Sequence, residues 1–94
     1  MSTITELKPT YSDVASFYRK ATVRSRTDAN GVTVQELFSY GMHVATYSDG
    51  KAEILEWAST TTGRHIKEFL LQCGLKAQSK KQMLADYPPK SGNA

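Results

Sequence analysis

The side chains best suited to chemistry in this chain stand together at the start of a predicted helix. Thr61, Thr62, Arg64 and His65 lie where the unpaired backbone N–H groups of a helix attract anions. Two hydroxyls and a guanidinium beside those N–H groups could hold a phosphate or a carboxylate. The plainer interpretation is that the threonines cap the helix and Arg64 is a solvated charge. The residue types favour capping, and the four residues stay a candidate anion site.

The remaining histidine, cysteine and carboxylates do not form a catalytic or metal-binding pattern. A zinc site needs three or four ligands, whereas the chain has one cysteine and two histidines, His43 and His65, without a recognised spacing. Cys73 falls on the apolar stripe of the predicted helix, where a thiol behaves as a small hydrophobic group. Glu53 and Glu56 are three residues apart and so point to opposite faces of a strand. We therefore expect no enzyme, no metal and no cofactor.

A second candidate site is the basic face of the first predicted strand. From residue 15 the pattern alternates, and one side carries Tyr18, Lys20, Arg24 and Arg26. An aromatic ring interleaved with cations is typical of surfaces that bind single-stranded nucleic acid. A face that binds a partner protein, or an ordinary solvated face, explains the same residues.

Length and composition limit the classes of protein to which the chain can belong. Its 94 residues predict one domain with a single thin core, and 39% hydrophobic with 22% charged residues is typical of globular proteins. One cysteine forms no intrachain disulfide. The first residues have no signal-peptide pattern, and no apolar run is long enough to span a membrane. We expect a cytoplasmic protein without a membrane segment.

The net charge of +3 is unevenly distributed along the chain. Residues 27–58 are net acidic, and residues 1–26 and 59–94 are net basic. Such asymmetry can steer a partner of opposite charge. The total is too weakly basic to make nucleic-acid binding the first hypothesis.

Hydrophobic periodicity predicts an α+β fold, an antiparallel β-meander of about four strands packed against one C-terminal amphipathic helix. The predicted strands cover residues 15–26, 32–40, 43–47 and 51–58. Asp49-Gly50 is the strongest hairpin signal, because this pair suits a primed turn. Gly41 predicts either a tight turn or a bulge.

The amphipathic helix follows residues 59–62. Its apolar face consists of Ile66, Phe69, Leu70 and Cys73, and Gly74 predicts a left-handed C-terminal cap with Leu75 packed on the last turn. The solvent side is predicted to carry Arg64, Lys67, Glu68 and Gln72.

A short second helix is predicted from Lys80 to Tyr87, since Ser79 and Gln82 have the spacing of a capping box and Pro88 ends the segment. The predicted organisation is an extended N-terminal arm over 1–12, a single α+β domain over 13–87 and a disordered tail over 88–94.

Three segments carry a resemblance to a known family. They are SFYRKA (16–21), LFSY leading to VA (37–45) and STTTGRHIKEFL (59–70). The chain resembles a family of small uncharacterised proteins of phages and their bacterial hosts, which share a Ser-Tyr…Val-Ala strand pair and a Thr-Thr-x-Arg-His helix start. It departs from that pattern at Gly41-Met42. The resemblance implies a viral or mobile-element origin and brings no known activity or site residue.

These features together predict a binding protein. We expect a non-enzymatic viral or mobile-element protein that binds and modulates or inhibits a host protein complex, an anti-defence role such as anti-CRISPR activity included. Tyrosine and arginine are over-represented in binding hot spots. The tyrosines are Tyr11, Tyr18, Tyr40, Tyr47 and Tyr87. The alternative is a nucleic-acid-binding accessory protein that uses the basic face of the first strand, and the oligomeric state stays open.

Overall fold

The residues that the structure describes form a five-stranded antiparallel sheet in which each strand pairs with the next one in sequence. A computed structural model describes residues 2–11, 17, 20–57 and 59–88. The strands are β1 (Ser2–Glu6), β2 (Ala21–Thr27), β3 (Thr33–Ser39), β4 (Met42–Ser48) and β5 (Lys51–Ile54). The helices are α1 (Thr60–Gln72) and α2 (Lys80–Asp86). The prediction of an α+β fold with an antiparallel meander is confirmed, and so is the second short helix.

The predicted number of strands is too small by one, because the N-terminal segment also joins the sheet. β1 pairs with β2 along its whole length, with Ile4 opposite Arg24. Its sequence Ser-Thr-Ile-Thr-Glu is rich in β-branched residues, which favour an extended backbone. The predicted arm therefore contains an edge strand. The predicted tail lies outside the described residues except for Pro88.

Two tight hairpin turns, at opposite ends of the sheet, set the register of β3 with β4 and of β4 with β5. Asp49 and Gly50 have φ values of 53° and 76°, and Tyr40 and Gly41 have 54° and 81°. Positive φ at both central residues defines the primed turn whose twist matches the flanking strands. The Asp-Gly hairpin is confirmed, and Gly41 is in a turn. The bulge of this hairpin lies deeper in β4 at Val44, since Leu37 faces Ala45 while Phe38 faces His43.

α1 covers one face of the sheet with the predicted apolar stripe. Ile66, Phe69 and Leu70 are buried in the same core as Leu37 and Ile54. The helix begins at Thr60, because the Ser59 side chain accepts a hydrogen bond from the Thr62 N–H at 3.1 Å. At its other end the Leu75 N–H donates to the Leu70 carbonyl and Gly74 has φ 81°, which confirms the predicted cap.

Glu68 does not face solvent as predicted. It is 1% exposed, and its carboxylate accepts hydrogen bonds from the backbone N–H groups of Thr10 and Tyr11, each at 3.0 Å. Gln72 donates to the same carboxylate at 2.6 Å and to the Lys8 carbonyl at 2.6 Å. The segment after β1 therefore binds along α1, which buries a carboxylate that helical periodicity alone assigns to the surface.

α2 closes the far edge of the sheet. Met83 is buried in the core, and the Ile54 N–H donates to the Tyr87 carbonyl at 2.8 Å just after the helix. The two helices thus lie on the same side, which we name the covered face. The opposite side, on which no described helix packs, we name the open face. By register it includes Ile4, Glu6, Thr22, Arg24, Arg26, Val34, Glu36, Phe38, His43, Thr46, Ser48, Lys51 and Glu53.

Candidate functional site

The predicted basic strand face is present on β2 and belongs to the open face. Arg24 and Arg26 alternate with the buried Val23 and project from the open face, with about two-fifths of each side chain exposed. Lys20 stands just before β2 and is exposed, with its Nζ 5.7 Å from the ring centroid of Tyr40. Tyr18, the fourth predicted member, lies outside the described residues.

A carboxylate that no sequence motif indicates, Glu36, holds the two arginines in place. Glu36 lies opposite Arg24 on β3, and its side chain is 8% exposed. Nε and Nη2 of Arg24 both lie 2.7 Å from Oε1 of Glu36, and Nε of Arg26 lies 3.4 Å from the same oxygen. Ion pairs between opposite residues of neighbouring strands fix side-chain geometry. A turn in which the Gly31 N–H donates to the Asp28 carbonyl joins β2 to β3. The turn residues and the alternation of β3 are the sequence signals that indicate this strand pairing.

The charges around Glu36 outweigh the cost of burying it. Burial raises the pKa of this carboxyl, but the hydrogen bond from Arg24 and the positive charges of Arg24 and Arg26 lower the pKa by more, so the net pKa lies below its ordinary value. Glu36 is therefore ionised at neutral pH. It offsets one of the two guanidinium charges and leaves their outer edges in water.

An apolar area adjoins this ion-pair cluster on the open face. Ile4 is 68% exposed, and it lines a shallow pocket of about 280 Å³ together with Thr22, Arg24, Phe38 and Gly41. The guanidinium carbon of Arg24 lies 5.5 Å from the Phe38 ring centroid, within the range of a cation–π contact. The open face therefore combines an oriented arginine pair with an exposed apolar surface.

The four residues of the predicted anion site separate onto two sides of α1. Thr61 and Arg64 are exposed, whereas Thr62 and His65 are each 1% exposed. The helix starts at Thr60 and not at Thr62 or Gly63, which turns Thr62 and His65 toward the sheet. The side chains of the four residues do not converge on one point.

Thr62 and His65 instead form a buried polar cluster with Ser39 of β3. Ser39 Oγ lies 2.8 Å from His65 Nδ1 and 3.1 Å from Thr62 Oγ1. Burial, and then the charge of Lys20, lower the pKa of His65, so its imidazole is neutral at pH 7. A serine beside a neutral histidine has the composition of a nucleophile and its base. Ser39 is only 2% exposed, however, and this burial favours a structural role.

Cys73 is partly buried at the end of α1, as its position on the apolar stripe predicts. Its Sγ lies 3.6 Å from Oε1 of Gln35, and burial raises the pKa of the thiol to about 11. The protonated thiol is a weak nucleophile. Within the described ranges, no three or more His, Cys, Asp or Glu side chains are grouped to hold a metal ion.

Over the described residues, neither helix has the length and hydrophobicity needed to cross a bilayer.

Comparison with known proteins gives the family of the chain and no function. No curated protein and no solved structure matches the chain. A family model matches residues 5–85, from the end of β1 to the last turn of α2. The chain therefore belongs to a family of unknown function, DUF8033, which agrees with the predicted resemblance to an uncharacterised family.

Proposed function

We propose that the chain is a non-enzymatic binding module that contacts another protein through its open face. The observation that carries the proposal is the exposed apolar pocket around Ile4 and Phe38 beside arginines that Glu36 holds in one geometry. Arginines and aromatic rings next to apolar surface are enriched in protein interfaces. An arginine already held in position loses less conformational entropy when it binds.

The charge balance of the open face favours a protein over a nucleic acid. Arg24 and Arg26 share one carboxylate, so a phosphate would compete with Glu36 for both guanidinium groups. It would also approach the negative charge of Glu36 itself. A partner protein can offer apolar side chains to Ile4 and neutral polar groups to the outer edges of the arginines.

The finer parts of the function rest on the sequence resemblance. We propose that the module is of phage or mobile-element origin and acts in the cytoplasm of a host cell. There it would modulate or inhibit a host protein complex, for example one of a defence system. The small size and the absence of a recognisable catalytic set in the sequence support an action by surface contact.

A capture experiment with matched surface variants tests the proposal. The immobilised chain is incubated with nuclease-treated bacterial lysate, beside Ile4→Glu and Tyr11→Glu. These two positions are similarly exposed, at 68% and 61%, and only Ile4 lies on the open face. We expect the parent chain to capture a protein from the nuclease-treated lysate. The Ile4→Glu variant should no longer capture this protein, and the Tyr11→Glu variant should still capture it. Equal loss in both variants, or loss of every bound species on nuclease treatment, would contradict the proposal.

The alternative of nucleic-acid binding has support from two cation–ring contacts. Lys20 lies beside Tyr40, and Arg24 lies beside Phe38, an interleaving also used to bind single strands. If this function holds, affinity for a single strand falls steeply with salt and Lys20→Ala flattens the dependence. Sub-micromolar affinity for a mixed-sequence single strand at physiological salt would place this function first.

A further inference from the structure

A basic groove with an aromatic floor lies between the first turns of the two helices, away from the open face. The α1–α2 groove has a volume of about 470 Å³. Its floor includes Trp57 and Met83, and its rim carries the cations of Arg64, Lys67 and Lys80. No carboxylate is among the described residues that line it. The groove is thus positively charged and partly apolar.

The ring of Trp57 is fixed by close contacts on the groove side. Nζ of Lys80 lies 5.5 Å from the ring centroid. A Cβ atom at Gly63 would collide with Cζ2 of the same ring, so only glycine at this helical position lets the ring lie against α1. Glycine within a helix is less favourable than alanine. At position 63, glycine leaves the space that the Trp57 ring occupies in the floor of the groove.

We propose that the α1–α2 groove binds an extended acidic segment of a partner protein. Three cations without a carboxylate select for negative charge, and the apolar floor accepts aliphatic side chains between the acidic ones. Lys80 lies over the Trp57 ring, so a nucleic-acid base would have to displace this side chain before it stacked there. Carboxylates can approach the exposed Arg64, Lys67 and Lys80 side chains without moving the ring. The site goes beyond the proposed function, which uses the open face.

Intrinsic fluorescence tests this site directly, because Trp57 is the one tryptophan of the chain. The full chain is titrated with hexaglutamate, with hexalysine as the charge-reversed control and with the oligonucleotide dT6 as the competing chemistry. We expect a saturable change in Trp57 emission with hexaglutamate that weakens as salt rises. Hexalysine should give no saturable change, and dT6 should bind more weakly than hexaglutamate.

Charge variants assign the response to the groove. Arg64→Gln and Lys80→Gln should each weaken the apparent affinity about two- to fivefold, the range for a single exposed ion pair. Lys51→Gln is the matched control, since this exposed lysine lies on β5 outside the groove. The affinity of this variant for hexaglutamate should equal that of the parent. Circular dichroism melts of the variants check that each stays folded. Ile4→Glu should keep the full response, which separates this site from the open face.

Three results would overturn the proposal. One is the lack of a saturable response to hexaglutamate. Another is an equal loss of affinity in Lys51→Gln and Lys80→Gln, which would show diffuse attraction to the whole basic surface. The third is tighter binding of dT6 than of hexaglutamate, which would assign the groove to nucleic acid.

Discussion

The two faces of the sheet use polar side chains of the same strand for opposite purposes. Ser39 of β3 joins Thr62 and His65 on the covered face, where all three are at most 2% exposed. Glu36 of the same strand joins Arg24 and Arg26 on the open face, where the guanidinium groups stay in water. A buried network of neutral groups fixes the fold, because each unpaired member would cost free energy. The surface cluster of charges leaves both arginine side chains about two-fifths exposed.

The largest expected effect is on the covered face. Phe69→Ala removes a ring that is 2% exposed between α1 and the sheet. It should lower the free energy of unfolding by about 3–5 kcal/mol, much of the stability of a small domain. Urea denaturation followed by circular dichroism measures the loss. A stability equal to that of the parent would mean that α1 does not pack on the sheet through this ring.

The neutral cluster should be less costly to break. Ser39→Ala leaves His65 Nδ1 and Thr62 Oγ1 without the hydroxyl between them, and the loss of unfolding free energy should be about 1–3 kcal/mol. Thr61→Ala is the control, because Thr61 is exposed on the same helix and its replacement should cost less than about 0.5 kcal/mol. Equal costs for the two variants would remove the distinction between the cluster and the surface.

Acidification should lower the free energy of unfolding in two separate pH ranges, one for the covered face and one for the open face. The folded pKa of His65 lies below its ordinary value of 6.5, so the unfolded chain binds the proton more readily and stability falls as the pH drops below about 6.5. The folded pKa of Glu36 lies below 4.5, and its contribution is therefore lost only as the pH falls further. Urea denaturation of the parent and of His65→Gln between pH 5 and 7 tests the first window. The His65→Gln variant should be less stable than the parent, and its free energy of unfolding should change little between pH 5 and 7. If its free energy of unfolding changed with pH as much as that of the parent, the pH dependence would not come from His65.

The smallest effect on stability is expected on the open face itself. Ile4→Glu changes a side chain that is 68% exposed, and the free energy of unfolding should move by no more than about 0.5 kcal/mol. The same variant is expected to lose the partner protein. A thermal melt beside the capture experiment checks that binding and stability separate. A large drop in melting temperature would show that Ile4 belongs to the fold and not to a binding surface.

Local signals predicted the local structure well. The apolar spacing of Ile66, Phe69 and Leu70 defined α1, Gly74 defined its cap, and Asp49-Gly50 defined a hairpin, because each depends on neighbours in sequence. β1 was missed, since a five-residue strand with two threonines shows little hydrophobic alternation before its partner strand is known.

Long-range contacts account for what the sequence did not reveal. Glu68 is buried because residues 10 and 11 supply two N–H donors from the other end of the chain. The anion-site hypothesis depended on which turn of the helix faces the sheet, and the cap at Ser59 decides this by placing Thr62 and His65 inward. The arginines of β2 were predicted, but their carboxylate partner becomes visible only with the register of β2 and β3.

Photo-crosslinking at position 4 tests the central claim most directly. A photoreactive amino acid replaces Ile4 in one variant and Tyr11 in another, and both are irradiated in nuclease-treated bacterial lysate. The account predicts that the open-face position crosslinks to a discrete protein and that position 11 does not. Equal crosslinking from both positions, or crosslinking of position 4 only to nucleic acid when nuclease is omitted, would contradict it.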